Sequence, residues 1–259
     1  WYWRILRDSQ NARRIGGEFS LLKQIILITD GNSNTGVDPV DAAAEAFRRG
    51  VVVNVIGIVD HHEIGMRGER EIERIARAGG GMHRIVTPTL LAKTMQTMTQ
   101  MTINATIRQV VNSEIRAVLG DEAASITALP PEKRAEIVRA VDEWTETSPL
   151  RVALVIDASA SMKHKFDTVR EAAVDFMLSL RARQGRSELA VLHFPGNGSN
   201  DVELDAPWTS ELAKVENILY KLNVKGSTPT GPALLAALRL FGADAEEEAP
   251  DPAWDHEAV

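Results

Sequence analysis

Short unbroken apolar runs alternate along this chain with stretches whose apolar residues recur every three or four positions. The first run, Gln24-Ile25-Ile26-Leu27-Ile28, ends at Thr29-Asp30-Gly31-Asn32-Ser33-Asn34. Such a run lacks the apolar–polar alternation of a half-exposed strand, so it predicts a strand buried on both faces and followed by a loop. Asp38 and Pro39 supply an N-cap and a first helical residue, predicting a helix to Arg49 that stops at Gly50. Val51–Ile58 predicts a second buried strand. A helix near Glu69–Ala78 stops at Gly79-Gly80-Gly81, and His83–Val86 predicts a short third strand. Strands alternating with helices imply a parallel sheet with right-handed crossovers.

From Leu90 to Leu119 the pattern becomes that of one long amphipathic helix, started by Thr87-Pro88. Its apolar positions are Leu91, Met95, Met98, Met101, Ile107, Val111, Ile115 and Val118. The methionines suggest an exposed binding face, but core filling is the ordinary use of this side chain and is the expectation here. Pro130-Pro131-Glu132 opens another helix to Trp144, ended by Ser148-Pro149. The alternation then resumes. Arg151–Ile156 predicts a strand, Lys165–Arg183 a helix and Leu189–Phe194 a strand. A hairpin-like turn at Pro195-Gly196-Asn197-Gly198 leads to a weak strand near Val202-Glu203-Leu204, followed by helices at Leu212–Leu222 and Ala233–Phe241. The predicted fold class is α/β, a doubly wound and mostly parallel sheet flanked by helices.

Composition narrows the function classes. The chain has 259 residues, 44% hydrophobic and 25% charged, as in ordinary globular proteins. No apolar run approaches the roughly 20 residues that span a bilayer, so no membrane partner is expected. Cysteine is absent, which removes disulfide and thiolate chemistry and fits a cytoplasmic location. The net charge of −7 resides between Asp244 and Glu257, where seven acidic residues meet no Lys or Arg. The remaining body is neutral and lacks the basic footprint of a nucleic-acid binder. Few apolar residues follow Phe241, and the segment 242–259 reads as a disordered acidic tail. Residues 1–22 show no period and read as an extension outside the core.

Three loops carry the candidate chemistry. Ligands of parallel sheets bind beyond the C-terminal ends of strands, where Thr29-Asp30-Gly31 and Asp157-Ala158-Ser159-Ala160-Ser161 fall. Gly226-Ser227-Thr228-Pro229-Thr230 opens a later helix. Together they offer two carboxylates and several hydroxyls, with no His or Cys. Hard oxygens of this kind suit Mg²⁺, Mn²⁺ or Ca²⁺ and match zinc poorly. Taken singly, Thr-Asp-Gly is an ordinary turn and Asp-x-Ser-x-Ser an ordinary helix cap. Three such loops, each at the expected end of an element, make the stronger case. Asp60-His61-His62-Glu63 lacks the helical spacing of a metal site and reads as a polar loop. Pro195-Gly196-Asn197-Gly198 lacks the Lys and Ser/Thr of a phosphate loop and reads as a turn.

The three motifs together resemble the metal-ion-dependent adhesion site of von Willebrand factor A-type domains. The resemblance covers residues 23–86 and 150–241, leaving 87–149 as a helical connector. It implies that Asp157, Ser159, Ser161, Thr228 and Asp30 hold a divalent ion, with Thr228 preferred to Thr230 as the Gly-x-Thr residue. It further implies that hydroxyls bind the ion directly, that the aspartates act largely through water, and that one position stays open to an Asp or Glu of a protein partner. The order departs from the family: Asp30 precedes the Asp-x-Ser-x-Ser strand, so the halves stand in circularly permuted order, as in the short, rearranged A domains of the Bacillus YabS-like group. Closure within one chain gives a monomer, and pairing of halves between chains gives a domain-swapped dimer. The rival reading is a metal-dependent hydrolase using Asp157 or Ser159 as nucleophile. Against it, no Gly flanks the serines as in a nucleophile elbow and no histidine stands out as a base.

Overall fold

In a computed structural model the described residues are 21–31, 33–59, 65–119, 125–211 and 226–247. Among them six strands form one sheet: β1 (Leu22–Thr29), β2 (Val52–Ile58), β3 (Gly80–Val86), β4 (Leu150–Asp157), β5 (Ser187–Phe194) and β6 (Glu203–Thr209). Their spatial order is β3-β2-β1-β4-β5-β6. All neighbours are parallel except β6, which runs antiparallel to β5 at the edge. The predicted α/β class, a mostly parallel sheet flanked by helices, is the fold observed.

Helices α1 (Pro39–Arg48), α2 (Met66–Ala78) and α6 (Thr230–Glu247) cover one face of the sheet. On the other lie α3 (Leu91–Leu119) and α5 (Phe166–Arg181), with α4 (Pro131–Thr147) against α3. This double cover explains the unbroken apolar runs. In β1, Ile26 and Ile28 point into the α3/α5 layer while Ile25 and Leu27 point into the α1/α6 layer. In β4, Leu154 and Ile156 alternate with Ala153 and Val155 in the same way. All eight side chains are fully buried, at roughly 1.5–3 kcal/mol for each large one.

Asp38 caps α1 as predicted, its Oδ1 accepting from the Val40 amide at 2.8 Å. The methionine stretch is core at Met95 and Met98 but not at Met101, which is 45% exposed. The sheet-facing positions beside Met101 go instead to Thr99 and Thr102. Thr99 accepts from Gln24 Nε2 and Thr102 from Asn54 Nδ2, both at 2.9 Å. Two polar residues inside buried strands thus set the phase of α3, because an unbonded amide there would cost about 1–3 kcal/mol. Asn54 also accepts from the Met82 amide at 2.8 Å, tying β2 to β3.

Three other boundaries differ from the sequence reading. Gly80 and Gly81 start β3 rather than merely stopping α2. Strand β6 extends to Thr209, beyond the predicted Val202–Leu204; its pattern is half-buried and contains Pro207, which an edge strand tolerates. Helix α6 begins at Thr230 and continues to Glu247, past the predicted end at Phe241. The predicted helix at Leu212–Leu222, the Asp60–Glu63 loop, most of the N-terminal extension and the last part of the acidic tail lie outside the described residues.

Candidate metal centre

Strands β1 and β4 are neighbours, aligned from Leu22 opposite Leu150 to Ile28 opposite Ile156. That register brings the loops after both strands to the same edge, although 127 residues separate Asp30 from Asp157 in the numbering. A continuous set of hydrogen bonds results. The Ser159 amide donates to Asp157 Oδ1 at 2.8 Å, and Thr29 Oγ1 donates to Asp157 Oδ2 at 2.7 Å. The hydroxyls of Ser159 and Ser161 stand 3.1 Å apart, and Ser161 Oγ donates to Asp30 Oδ1 at 2.8 Å. Lys165 Nζ donates to the other oxygen of Asp30 at 2.6 Å. A 3₁₀ turn at Ala160–Met162 curls the serine loop toward this edge before α5 begins.

Four of the five expected residues are therefore directly connected. Thr228 arrives differently. Its amide donates to Asn34 Oδ1 at 2.8 Å, and its carbonyl accepts from the Asn34 amide at 3.2 Å and from Ser33 Oγ at 3.3 Å. Thr228 lines the same cleft as Ser161, but its hydroxyl takes no part in the hydrogen bonds joining the other four. The loop after β1 and the start of α6 fit closely enough that a Cβ on Gly231 would overlap the Val37 carbonyl oxygen. Thr230, the rejected alternative, is also buried.

Asp157 is fully inaccessible and Ser159 nearly so, whereas Ser161 is exposed. Burial pushes the Asp157 carboxyl above the ordinary carboxylate range; hydrogen bonds from Ser159 and Thr29 oppose this, and the charge of Asp30 adds to it. The Asp30 and Lys165 side chains are 3% and 13% exposed, so this ion pair is largely shielded from water. Glu71 of α2 accepts from the Ser33 amide through both oxygens, at 3.3 and 3.1 Å, fastening α2 to the site loop.

Thr29, Lys165, Asn34 and Glu71 were not singled out in the sequence. Thr29 stands inside the Thr-Asp-Gly motif and Lys165 lies four residues after Ser161, so both were locally visible. Asn34 and Glu71 act across long sequence separations and left no local signal.

The donor set fits a small hard cation. The Ser159–Ser161 and Ser161–Asp30 oxygens, 3.1 and 2.8 Å apart, lie close enough together to face one ion. Among the described residues no group of three or more His, Cys, Asp or Glu could hold a metal, so hydroxyls would have to supply part of the shell. Among the described residues neither serine is hydrogen-bonded to a histidine, and His193 is engaged by Asp205, with Nδ1 2.9 and 2.8 Å from its two carboxylate oxygens.

The von Willebrand factor type A domain matches this chain twice, over residues 3–113 and again over 152–251. An uncharacterized protein, YabS, of Bacillus subtilis (strain 168) is 43% identical over 220 residues, covering 85% of this chain and 89% of that protein. The chain belongs to the von Willebrand factor type A domain family. A crystal structure of an uncharacterized protein from Alicyclobacillus acidocaldarius subsp. acidocaldarius DSM 446 is similar over 89% of this chain and 97% of that one, with a TM-score of 0.82 and 43% identity. A domains typically mediate metal-dependent protein interactions, commonly hold a divalent metal at the adhesion site, and are generally interaction modules rather than enzymes. Among the described residues of this A domain no helix is long and apolar enough to cross a membrane.

Proposed function

We propose that this A domain is a protein-binding module that captures an Asp or Glu side chain of its partner through a divalent ion of the hard class, Mg²⁺, Mn²⁺ or Ca²⁺. Asp157, Ser159, Ser161, Thr228 and Asp30 hold the ion. The observation that carries the reading is the Asp157–Ser159–Ser161–Asp30 connection, assembled from the ends of two adjacent strands. When bound, the ion supplies a Lewis-acidic centre with a position for an incoming carboxylate. Asp157 and Asp30 balance part of its charge, the hydroxyls donate lone pairs without adding negative charge, and Lys165 offsets one carboxylate. The net positive charge left at the site favours an acidic ligand. We read residues 23–86 and 150–241 as the exchanged halves of one A domain joined by the connector 87–149, since β1 and β4, the first strands of the two halves, are neighbours in one sheet.

Calorimetric titration with Mg²⁺ and Mn²⁺ tests the site. One binding event is expected, lost or weakened at least about tenfold in Asp157→Ala and in Ser161→Ala. Unchanged affinity in both variants sinks the assignment. Turnover of simple phosphate or ester substrates that requires Asp157 would favour the hydrolase instead.

A further inference from the structure

A cleft of about 1150 Å³ leads away from Ser161 and Thr228 between the loop after β1 and helix α2. Arg67, Arg70 and Arg74 line it. Their spacing of three and four residues sets them on one side of α2, and all three are exposed. The two acids on the cleft wall are already engaged with backbone amides, Glu71 with Ser33 and Asp38 with Val40. Arg67 and Arg74 act on Glu71 by charge alone. Among the described residues no acceptor engages the three guanidinium groups by a hydrogen bond, which leaves their donors directed to the cleft. Beside them stand Met66, 77% exposed, and Val37, 49% exposed, two of the large apolar side chains this surface leaves open to water.

We infer that the cleft is the docking groove for an acidic, amphipathic segment of a partner protein, one carboxylate reaching the metal centre and further carboxylates pairing with Arg67, Arg70 and Arg74. The inference rests on the proposed function for its metal contact and on the arginine row for everything else. Arginine forks match carboxylates in two-bond geometry, and Arg and Met are enriched at protein interfaces. Arg67 and Arg74 are about 10 Å apart along the helix axis at 1.5 Å per residue, the span of about three residues of extended chain. A fitting extended segment therefore carries acids about three residues apart to meet Arg67 and Arg74, with Arg70 between them sharing either carboxylate and an apolar residue in the interval to cover Met66 and Val37. That apolar contact, and a body whose charge is balanced outside the acidic stretch after Asp244, favour a protein ligand over a nucleic acid.

The test uses the full chain and two fluorescent 12-residue peptides, one with Glu at every third position and a central Leu, the other with Gln replacing each Glu. Anisotropy is read in 1 mM Mg²⁺ and in excess chelator. The Glu peptide is expected to bind at least about tenfold more tightly than the Gln peptide. That advantage should vanish in the Arg67→Gln/Arg70→Gln/Arg74→Gln variant, whose Mg²⁺ affinity and circular dichroism stay as in the parent. Retention of the advantage by the triple variant overturns the inference, as does failure of the Glu peptide to bind at 1 mM. A single-stranded oligonucleotide that competes as well as the Glu peptide also overturns it, by showing a general polyanion surface. If the arginine dependence persists but chelator and Thr228→Ala change nothing, the groove stands and the metal bridge of the proposed function fails.

Discussion

Lys165 Nζ lies 2.6 Å from Asp30 Oδ2, while Asp30 Oδ1 accepts from Ser161. One buried carboxylate is thus shared between an ammonium and a hydroxyl of the candidate metal shell. Desolvating an ion pair is costly, and removing one partner leaves the other charge stranded at about 3–5 kcal/mol. Lys165 is therefore expected to stabilise the fold through this pair and to oppose a cation at the proposed site through like-charge repulsion.

Lys165→Met is expected to lower the melting temperature strongly in chelator and less in saturating Mg²⁺, because about tenfold tighter binding by the variant narrows its gap from the parent by about 1.4 kcal/mol. Its Mg²⁺ affinity should rise by about tenfold. Equal destabilisation with and without Mg²⁺, together with unchanged affinity, would show that the ammonium does not act on the ion.

Thr29 bonds the buried Asp157 at 2.7 Å. Thr29→Val preserves shape and removes the donor, so a carboxylate oxygen that water cannot reach loses its partner. Hydrogen bonds to charged groups contribute about 1.5–3 kcal/mol, and urea unfolding should show a loss of that size. Thr29→Ser retains the hydroxyl and should recover most of it. A Val variant as stable as the parent would mean that Asp157 does not depend on this bond.

The pH dependence of stability is expected to come in part from Glu188. Burial alone would raise its carboxyl, but hydrogen bonds from Arg151 and Arg186, both at 2.7 Å, outweigh burial and hold it below its ordinary value. The folded state then binds the proton less tightly than the unfolded chain. The stabilisation is complete above the ordinary glutamate range and is lost as the pH falls through the folded-state value. Glu188→Gln should cost about 1.5–3 kcal/mol at neutral pH, with the gap from the parent closing as the pH falls below the carboxylate range. A gap independent of pH would assign the loss to packing instead.

Local patterns made most of the fold legible. Buried strands declared themselves as apolar runs because both faces of β1 and β4 meet helices. The helix of 29 residues, α3, was clear from its period, but its phase at Met101 was not. That phase depends on Gln24 and Asn54, polar residues inside apolar strands whose partners lie 75 and 48 positions away. The site divides in the same way. Asp30, Asp157, Ser159, Ser161 and Thr228 stand in recognisable short motifs, whereas Asn34 and Glu71 do their positioning through tertiary contacts that no local spacing encodes.

Asn34 offers the most direct test of how Thr228 is positioned. Its side chain accepts from the Thr228 amide at 2.8 Å while its own amide donates to the Thr228 carbonyl at 3.2 Å, a reciprocal pair across 194 positions. Asn34→Ala keeps the second bond and removes the first, leaving the amide of a nearly buried residue unsatisfied at about 1–3 kcal/mol. The threonine loop can then relax away from Ser161, and Mg²⁺ affinity should fall by about tenfold, approaching that of Thr228→Ala. Asn34→Asp keeps the acceptor and should hold Thr228 in place, its added charge if anything favouring the cation. Because loss of Asn34 acts through Thr228, combining Asn34→Ala with Thr228→Ala should cost little more affinity than Thr228→Ala alone. Full additivity of the two losses would mean that Asn34 reaches the ion by another route and that the reciprocal pair only fastens the loop.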